Sequence, residues 1–548
     1  MTGRITGWRW RSHHDVSSSS SSSSSSSIAA VVVPLEQAHL HSYSARCGRT
    51  EYEEVVDSED DGKLDDQGLE DGNHGEGHNE DDEDEAAGML EMSAAEYSIE
   101  GLRQAARRGR ARGSHVSEYE MKSVIINKAV QDIGMGRYNW QLFVLCGFGW
   151  FADNLWMQGV SLILPSLSAE FHVSEKHVRY TTSYVFFGLC LGAFTWGIGS
   201  DMLGRRIAFN ATLLITALFG LLTSLAPSWP LVCASLACLG FGVGGNLPVD
   251  GALFLEFLPD ASSSLLTLLS VWWPVGQLAS SLLAWWFIGR GQPAAEGWRQ
   301  FVFAIGMLTL VMFLVRFFAF RLFESPKFLL SRGRQAEAVR VVQGLAWRNG
   351  RKTWLTGEIL DAISRCNTSL QPLQQPPPSS STITTTTTTS ILRARLANFS
   401  TARLRPLFAT HKLGMTTALI WFCWATIGMG YPLFNAFLPQ YLSHGNTQSQ
   451  SQSPADISPS TYREYAILSI VGVPGSVLAY FAVDSPSPWL GRKGTLAIST
   501  FVSAVFLILF VQFGASGSAG LQLVFSCVEA ASQNVMYGVL YAFTPEIL

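Results

Sequence analysis

Gly197-Ile-Gly-Ser-Asp201-Met-Leu-Gly204-Arg205-Arg206 stands between two apolar runs, 180–200 and 208–226, and its reading decides the fold. Each run has the roughly 20 residues that a helix needs to cross a bilayer. The stretch between them is therefore a short reversal joining two antiparallel spans. Its glycines permit a tight turn and close helix approach. Asp201 can accept backbone donors or pair with a base, and Arg205 and Arg206 can bridge acids at neighbouring helix ends. Two arginines beside a membrane also fit the simple charge bias of inward-facing loops.

The same pattern repeats outward from this loop. Apolar windows at 140–165, 180–200, 208–226, 229–251, 264–289, 301–320, 414–440, 464–483, 494–513 and 519–543 predict an all-α membrane protein with ten transmembrane helices. Only 15% of the 548 residues are charged and 47% are hydrophobic, and the gathering of the latter into runs long enough to cross a bilayer excludes a single soluble domain. The expected organisation is a disordered low-complexity tail over 1–136, a six-helix bundle over 137–320, a linker over 321–412, and four helices over 413–548. Within the tail lie eleven serines, Ser17–Ser27, and an acidic block from Glu51 to Glu85, too polar to pack a core. That block dominates the net charge of -5, and nothing supports nucleic-acid binding. The eight cysteines show no ligand spacing and read as small buried hydrophobes; no metal or other cofactor is expected.

Positive residues set the orientation. Arg103, Arg107, Arg108, Arg110 and Arg112 precede the first span, Arg205 and Arg206 follow the second, and Arg492 and Lys493 follow the eighth. Arg321, Lys327, Arg332 and Arg334, with Arg393 to Lys412, flank the linker. These place the N-terminus and the linker in the cytoplasm. The segment 325–343 reads as an amphipathic helix, lying either on the membrane or on the surface of the linker. The prolines 376–378 and the threonines 384–389 read as disordered spacer.

The polar residues inside the spans carry the functional argument. Asp153 and Glu529 fall well inside the hydrocarbon layer, where a carboxyl faces a cavity, a partner or an ion path, or else bonds between helices. Asn154, Gln158, Gln277, Asn435, Gln533 and Asn534 can supply neutral donors and acceptors to such a cavity. Glu529 and Gln533 are four apart and share a helix face. The pairs Trp272-Trp273 and Trp285-Trp286, with Trp421 and Trp424, fit packing or interfacial roles and can also stack an organic ring. A second charge group, Asp201, Arg205, Arg206, Glu256, Glu324, Arg492 and Lys493, gathers at the cytoplasmic ends and fits a conformational latch. Two halves with loop motifs at corresponding ordinals point to a cavity at a pseudo-two-fold interface.

The stretches GRYNWQLFVLCGFGWFADNLWMQGVSLILP (136–165), GIGSDMLGRRIAFN (197–210), GFGVGGNLPVDGALFLEFLP (240–259), FESPKFLL (323–330) and YAFTPEI (541–547) resemble the major facilitator superfamily, and most nearly its fungal sugar-porter and synaptic-vesicle-protein-like members. The resemblance implies a two-bundle transporter with spans one, four, seven and ten around a central cavity, alternating access, and frequent proton coupling. Gly197, Asp201, Gly204, Arg205 and Arg206 match the family's loop motif, Gly491, Arg492 and Lys493 its second copy, and Glu324, Ser325 and Pro326 its motif after span six. Asp153 matches an acidic first-span position. In the second loop copy an insertion separates Asp484 from Gly491. The family has twelve spans where ten are read here, so the chain is expected to be C-terminally incomplete relative to the family, as a truncated product or isoform or as an incomplete gene model.

These features predict secondary active transport of a small organic solute, proton-coupled, in the plasma membrane or an internal membrane such as the vacuole. A transporter-like receptor without net flux is the alternative. No nucleotide-binding GxxxxGK[ST] loop occurs, and no nucleophile–base pair or metal cluster supports an enzyme. Solute identity and oligomeric state stay open.

Overall fold

The computed structural model describes residues 31–41, 95–107, 118–259, 262–289, 294–368, 405–408, 410–447, 459–485, 487, 489–514 and 519–547. The serine tract, the acidic block and the proline- and threonine-rich spacer lie outside them. Among the described residues the architecture is all α, with a single isolated bridge between Val32 and Thr353.

Two helices, α1 (Ile99–Arg107) and α2 (Glu118–Ile133), precede the first long one. Six long elements follow: α3 (Arg137–Phe171), α4 (Tyr180–Leu203), α5 (Arg205–Ser224), α6 (Trp229–Phe257), α7 (Trp272–Phe287) and α8 (Ala294–Leu314). The linker contributes α9 (Pro326–Ser331), α10 (Gln335–Arg348) and α11 (Gly357–Thr368). The second half holds α12 (His411–Thr447), α13 (Pro459–Val483), α14 (Gly491–Leu509) and α15 (Ala519–Ile547). Eight of the described helices are long and apolar enough to cross a membrane. Helices α3 and α15, of 35 and 29 residues, have ample length but fall outside that set. They carry Asn139, Asp153, Asn154 and Gln158, and Gln522, Glu529, Gln533 and Asn534, which lower their hydropathy.

Small residues bring the first-half helices together, as expected where lipid gives apolar faces no reason to associate. Gly188 and Gly192 of α4 lie against the carbonyls of Ala237 and Phe241, while Gly240 and Gly244 of α6 lie against those of Val185 and Leu189. A Cβ at any of the four would run into backbone. Between α4 and α5 the chain reverses at Gly204, whose φ of 108° suits glycine alone. At the opposite end Glu170 accepts hydrogen bonds from Arg299 (2.6 Å) and the Trp298 indole (2.5 Å), tying α3 to α8. Cys146 and Cys233 are buried, whereas Cys190 and Cys238 face outward, so burial holds for only part of the cysteine set.

The stretch expected as tail is corrected at its C-terminal end. Helices α1 and α2 pack on the linker helices, because Met121, Ile125, Ile126 and Ala129 supply an apolar stripe that meets Ala338, Val342, Leu345 and Leu360. Asp132 anchors the assembly, accepting from the Tyr97 hydroxyl (2.8 Å) and the Trp354 indole (2.7 Å). Arg103 donates to the Ala362 carbonyl at 2.6 Å. The apolar face of α10 is thus consumed by protein.

Candidate functional site

Successive residues of a helix point about 100° apart, and α3 uses this to serve two surfaces. Asp153 faces α6 inside the first half and accepts a hydrogen bond from Asn246 Nδ2 at 2.8 Å. Asn154 faces α7 and accepts from Gln277 Nε2 at 3.1 Å. Asp153, the expected proton-coupling residue, and Asn154 thus face different neighbours, and Tyr541 of the second half lies beside Asp153. One turn along α6 from Asn246, Asp250 pairs with Arg316 at 2.6 Å, both fully buried. Arg316 also donates to the Phe209 carbonyl at 2.8 Å and stacks its guanidinium over the Phe209 ring. It sits in a π turn, Val315–Ala319, that continues α8.

The cavity between the halves is lined by Gln158 and Gln277 from the first half and by Tyr465, Ser469, Ser526, Glu529, Gln533 and Asn534 from α13 and α15. Five of the expected solute-facing residues, Gln158, Gln277, Glu529, Gln533 and Asn534, thus converge, and Asn154 is bonded to one of them, Gln277. Asn435 lies on α12, and its side chain is outside the described residues. Space is small, ≈ 20 Å³ measured to water centres, room for about one water. A solute therefore needs the halves to part. Gln158 Nε2, Glu529 Oε1 and Gln533 Oε1 are buried and have no hydrogen-bond partner among the described residues.

Toward the end bearing the Gly197–Arg206 loop, aromatic rings close the cavity. Trp150 stacks on Trp273 at 4.9 Å, and Tyr541 packs edge-on against Trp273 (4.7 Å) and Trp424 (4.5 Å). Tyr537 completes the group from one turn earlier on α15. The rings come from α3, α7, α12 and α15, so this plug joins both halves. Two of the tryptophans singled out in the sequence, Trp273 and Trp424, belong to it; Trp285, Trp286 and Trp421 are exposed on the outer surface.

At the loop itself Arg205 bridges Asp201 (3.0 Å) and Glu256 (3.3 Å), joining α4, α5 and α6. Glu324 takes a different role from the expected arginine partner. It accepts from the backbone N–H of Arg206 at 3.3 Å, holding a carboxylate at the N-terminus of α5 where the helix dipole favours it. The Arg206 side chain is exposed. Arg332 donates to the Met202 carbonyl, fastening the linker to the same loop. In the second copy Arg492 reaches Ser263 at 3.4 Å, a contact between halves, while Lys493 and Asp484 are exposed. Asn246, Arg316, Tyr465, Ser469 and Ser526 were not among the candidate residues. A lone arginine in the apolar run VMFLVRFFAF was the available signal for Arg316. Among the described residues no His, Cys, Asp or Glu group could hold a metal ion.

Two bundles, a polar cavity between them and buried carboxyls beside it define a membrane transporter fold. Residues 142–548 match the Major Facilitator Superfamily, and the chain belongs to that family. It is 40% identical over 439 residues to an MFS siderochrome iron transporter of Ceriporiopsis subvermispora, covering 78% of this chain and 80% of that one. It is 37% identical over 450 residues to the major facilitator-type transporter hxnZ of Emericella nidulans, covering 79% and 77%. The partially occluded inward-open structure of the E. coli xylose transporter XylE superposes with a TM-score of 0.54 at 15% identity, covering 75% of this chain and 87% of that one. Family and fold make this a secondary transporter working by alternating access, with no catalytic chemistry of its own.

Proposed function

We propose that the chain carries a small organic solute across a cell membrane in symport with protons, and that its ten long helices all span the bilayer. The positive residues that flank the linker and α3 support a cytoplasmic N-terminus and linker. The aromatic plug is then the cytoplasmic closure, and the cavity lined by Glu529, Gln533 and Asn534 is the solute site. Glu529 is its carboxylate, and Asp153 takes up a proton in one access state and releases it in the other. The Arg205–Asp201–Glu256 network latches the cytoplasmic helix ends in the closed state.

One observation carries this reading: Asp153 and Asn154, neighbours on α3, join the buried carboxyl of the first half to the polar cavity between halves. Movement at either place is then felt at the other. The relatives' names widen the candidate solutes to siderochrome-type iron chelates and pentoses. The test is uptake into proteoliposomes of a labelled panel of pentoses, organic cations and iron chelates under an imposed proton gradient. Accumulation that collapses with the gradient supports symport. Saturable binding without flux supports the receptor reading and sinks this one.

A further inference from the structure

Resting on the proton-symport reading above, we propose that Arg316 is the positioning residue that occupies Asp250 as its counter-ion and so leaves Asp153 as the carboxyl that exchanges the proton. The two acids meet at one face of α6, since Asn246, which bonds Asp153 of α3, and Asp250 are four residues apart on α6. Their partners differ in kind. Asp250 has a guanidinium at 2.6 Å, and Asp153 has only the Asn246 amide at 2.8 Å. Arg316 is anchored on three sides, by Asp250, by the Phe209 carbonyl and by the Phe209 ring.

Charge counting gives the same answer. Asp153, Asp250 and Arg316 are all buried, and with both carboxyls ionised the group carries one uncompensated negative charge. An isolated buried charge is costly, so one proton brings the group to neutrality. Arg316 decides where that proton sits. Asp153 Oδ2 and Asp250 Oδ1 are both buried without a hydrogen-bond partner among the described residues, but only the Asp250 carboxyl has a guanidinium on its other oxygen, which leaves Asp153 Oδ2 as the favoured acceptor. The proton comes from water on one side, adds to Oδ2, and leaves to water on the other; no other bond changes. The titratable groups facing this cluster are Cys146 on α3, beside Asp250, and Tyr541 of α15, beside Asp153. Neither brings a compensating positive charge.

The test needs no solute. Infrared difference spectra of the full chain, reconstituted in lipid and titrated with pH, report the C=O stretch of each protonated carboxyl. The parental protein and R316K should show a titrating band that D153N abolishes. R316Q should add a second band, absent from D250N/R316Q. D250N should lose the Asp153 band, because the released guanidinium becomes its neighbour. D250N/R316Q has no unpaired charge and guards against misfolding of the single variants; it should keep the D153N-sensitive band alone. An unchanged single band in R316Q, or a missing band in folded D250N/R316Q, overturns the proposal. A parental protein whose titrating band survives D153N instead removes Asp153 as proton carrier, and the symport reading of that residue fails first.

Discussion

Asn246 donates to Asp153 at 2.8 Å, across the α3–α6 interface. The carboxyl proposed to carry a proton is therefore one helix face removed from the residues proposed to meet a solute. The two sites share a rigid element, because Asn154 and Gln158 of the same helix reach toward α7 and the cavity. On the proposed reading, rotation or tilt of α3 moves both and links proton to solute mechanically without a shared ligand.

Reversing the charge at Arg205 should disable conformational exchange. Its guanidinium holds Asp201 and Glu256, and R205E replaces two attractions with two repulsions. With the side chain about four-fifths buried, the closed state should lose about 1–3 kcal/mol. Paired spin labels across the cytoplasmic helix ends should report a shift toward the open state, partly restored in R205E/E256R. A parental distance distribution in R205E would remove the latch.

The glycine contacts of α4 and α6 make a sharper structural test. G188V and G240V push a side chain into the backbone of Ala237 and Val185, and should cost about 1–3 kcal/mol or prevent folding. G197A should stay within about 0.5 kcal/mol, since nothing lies within 4 Å of a Cβ there. Thermal unfolding of detergent-purified protein checks both, and equal effects would refute the packing argument.

Docking of α1 and α2 on the linker should depend on pH. Burial pushes the Asp132 carboxyl above its ordinary value of 3.8, against the opposing pull of its hydrogen bonds from Trp354 and Tyr97. The docked state thus binds a proton more tightly than the undocked one. Docking is strongest below about pH 3.8 and weakens as pH rises through the elevated value. Amide exchange in α1, corrected for intrinsic rates, should follow this trend and flatten in D132N. An identical slope in D132N would refute it.

Orientation can be read with single cysteines. R334C in the linker should react with an impermeant maleimide only after permeabilisation of intact cells, whereas K176C, just before α4, should react without it. The reverse pattern would invert the topology.

Much of this was legible in the sequence, and the failures have physical causes. Apolar windows coincide with ten long helices among the described residues, eight of them long and apolar enough to cross a membrane, because a bilayer imposes length and composition together. Hydropathy is least decisive at α3 and α15, where polar residues build the site. Asp153 and Glu529 stood out as carboxyls in apolar runs, but the side of the helix each faces depends on neighbours far along the chain. Asp153 turned to α6 for that reason, and Glu324 found a helix N-terminus in place of an arginine side chain. Helix α2 was hidden by the polar tail before it, since much of its apolar stripe meets the linker, far along the chain.

D153N tests the central claim most directly. The amide keeps the shape and the hydrogen bond to α6 but cannot cycle a proton. In proteoliposomes D153N should lose proton-driven accumulation of whichever panel solute the parental protein concentrates, while solute counterflow continues at a comparable rate. Accumulation and pH dependence matching the parental protein would contradict the account and leave Asp153 a structural hydrogen-bonding residue.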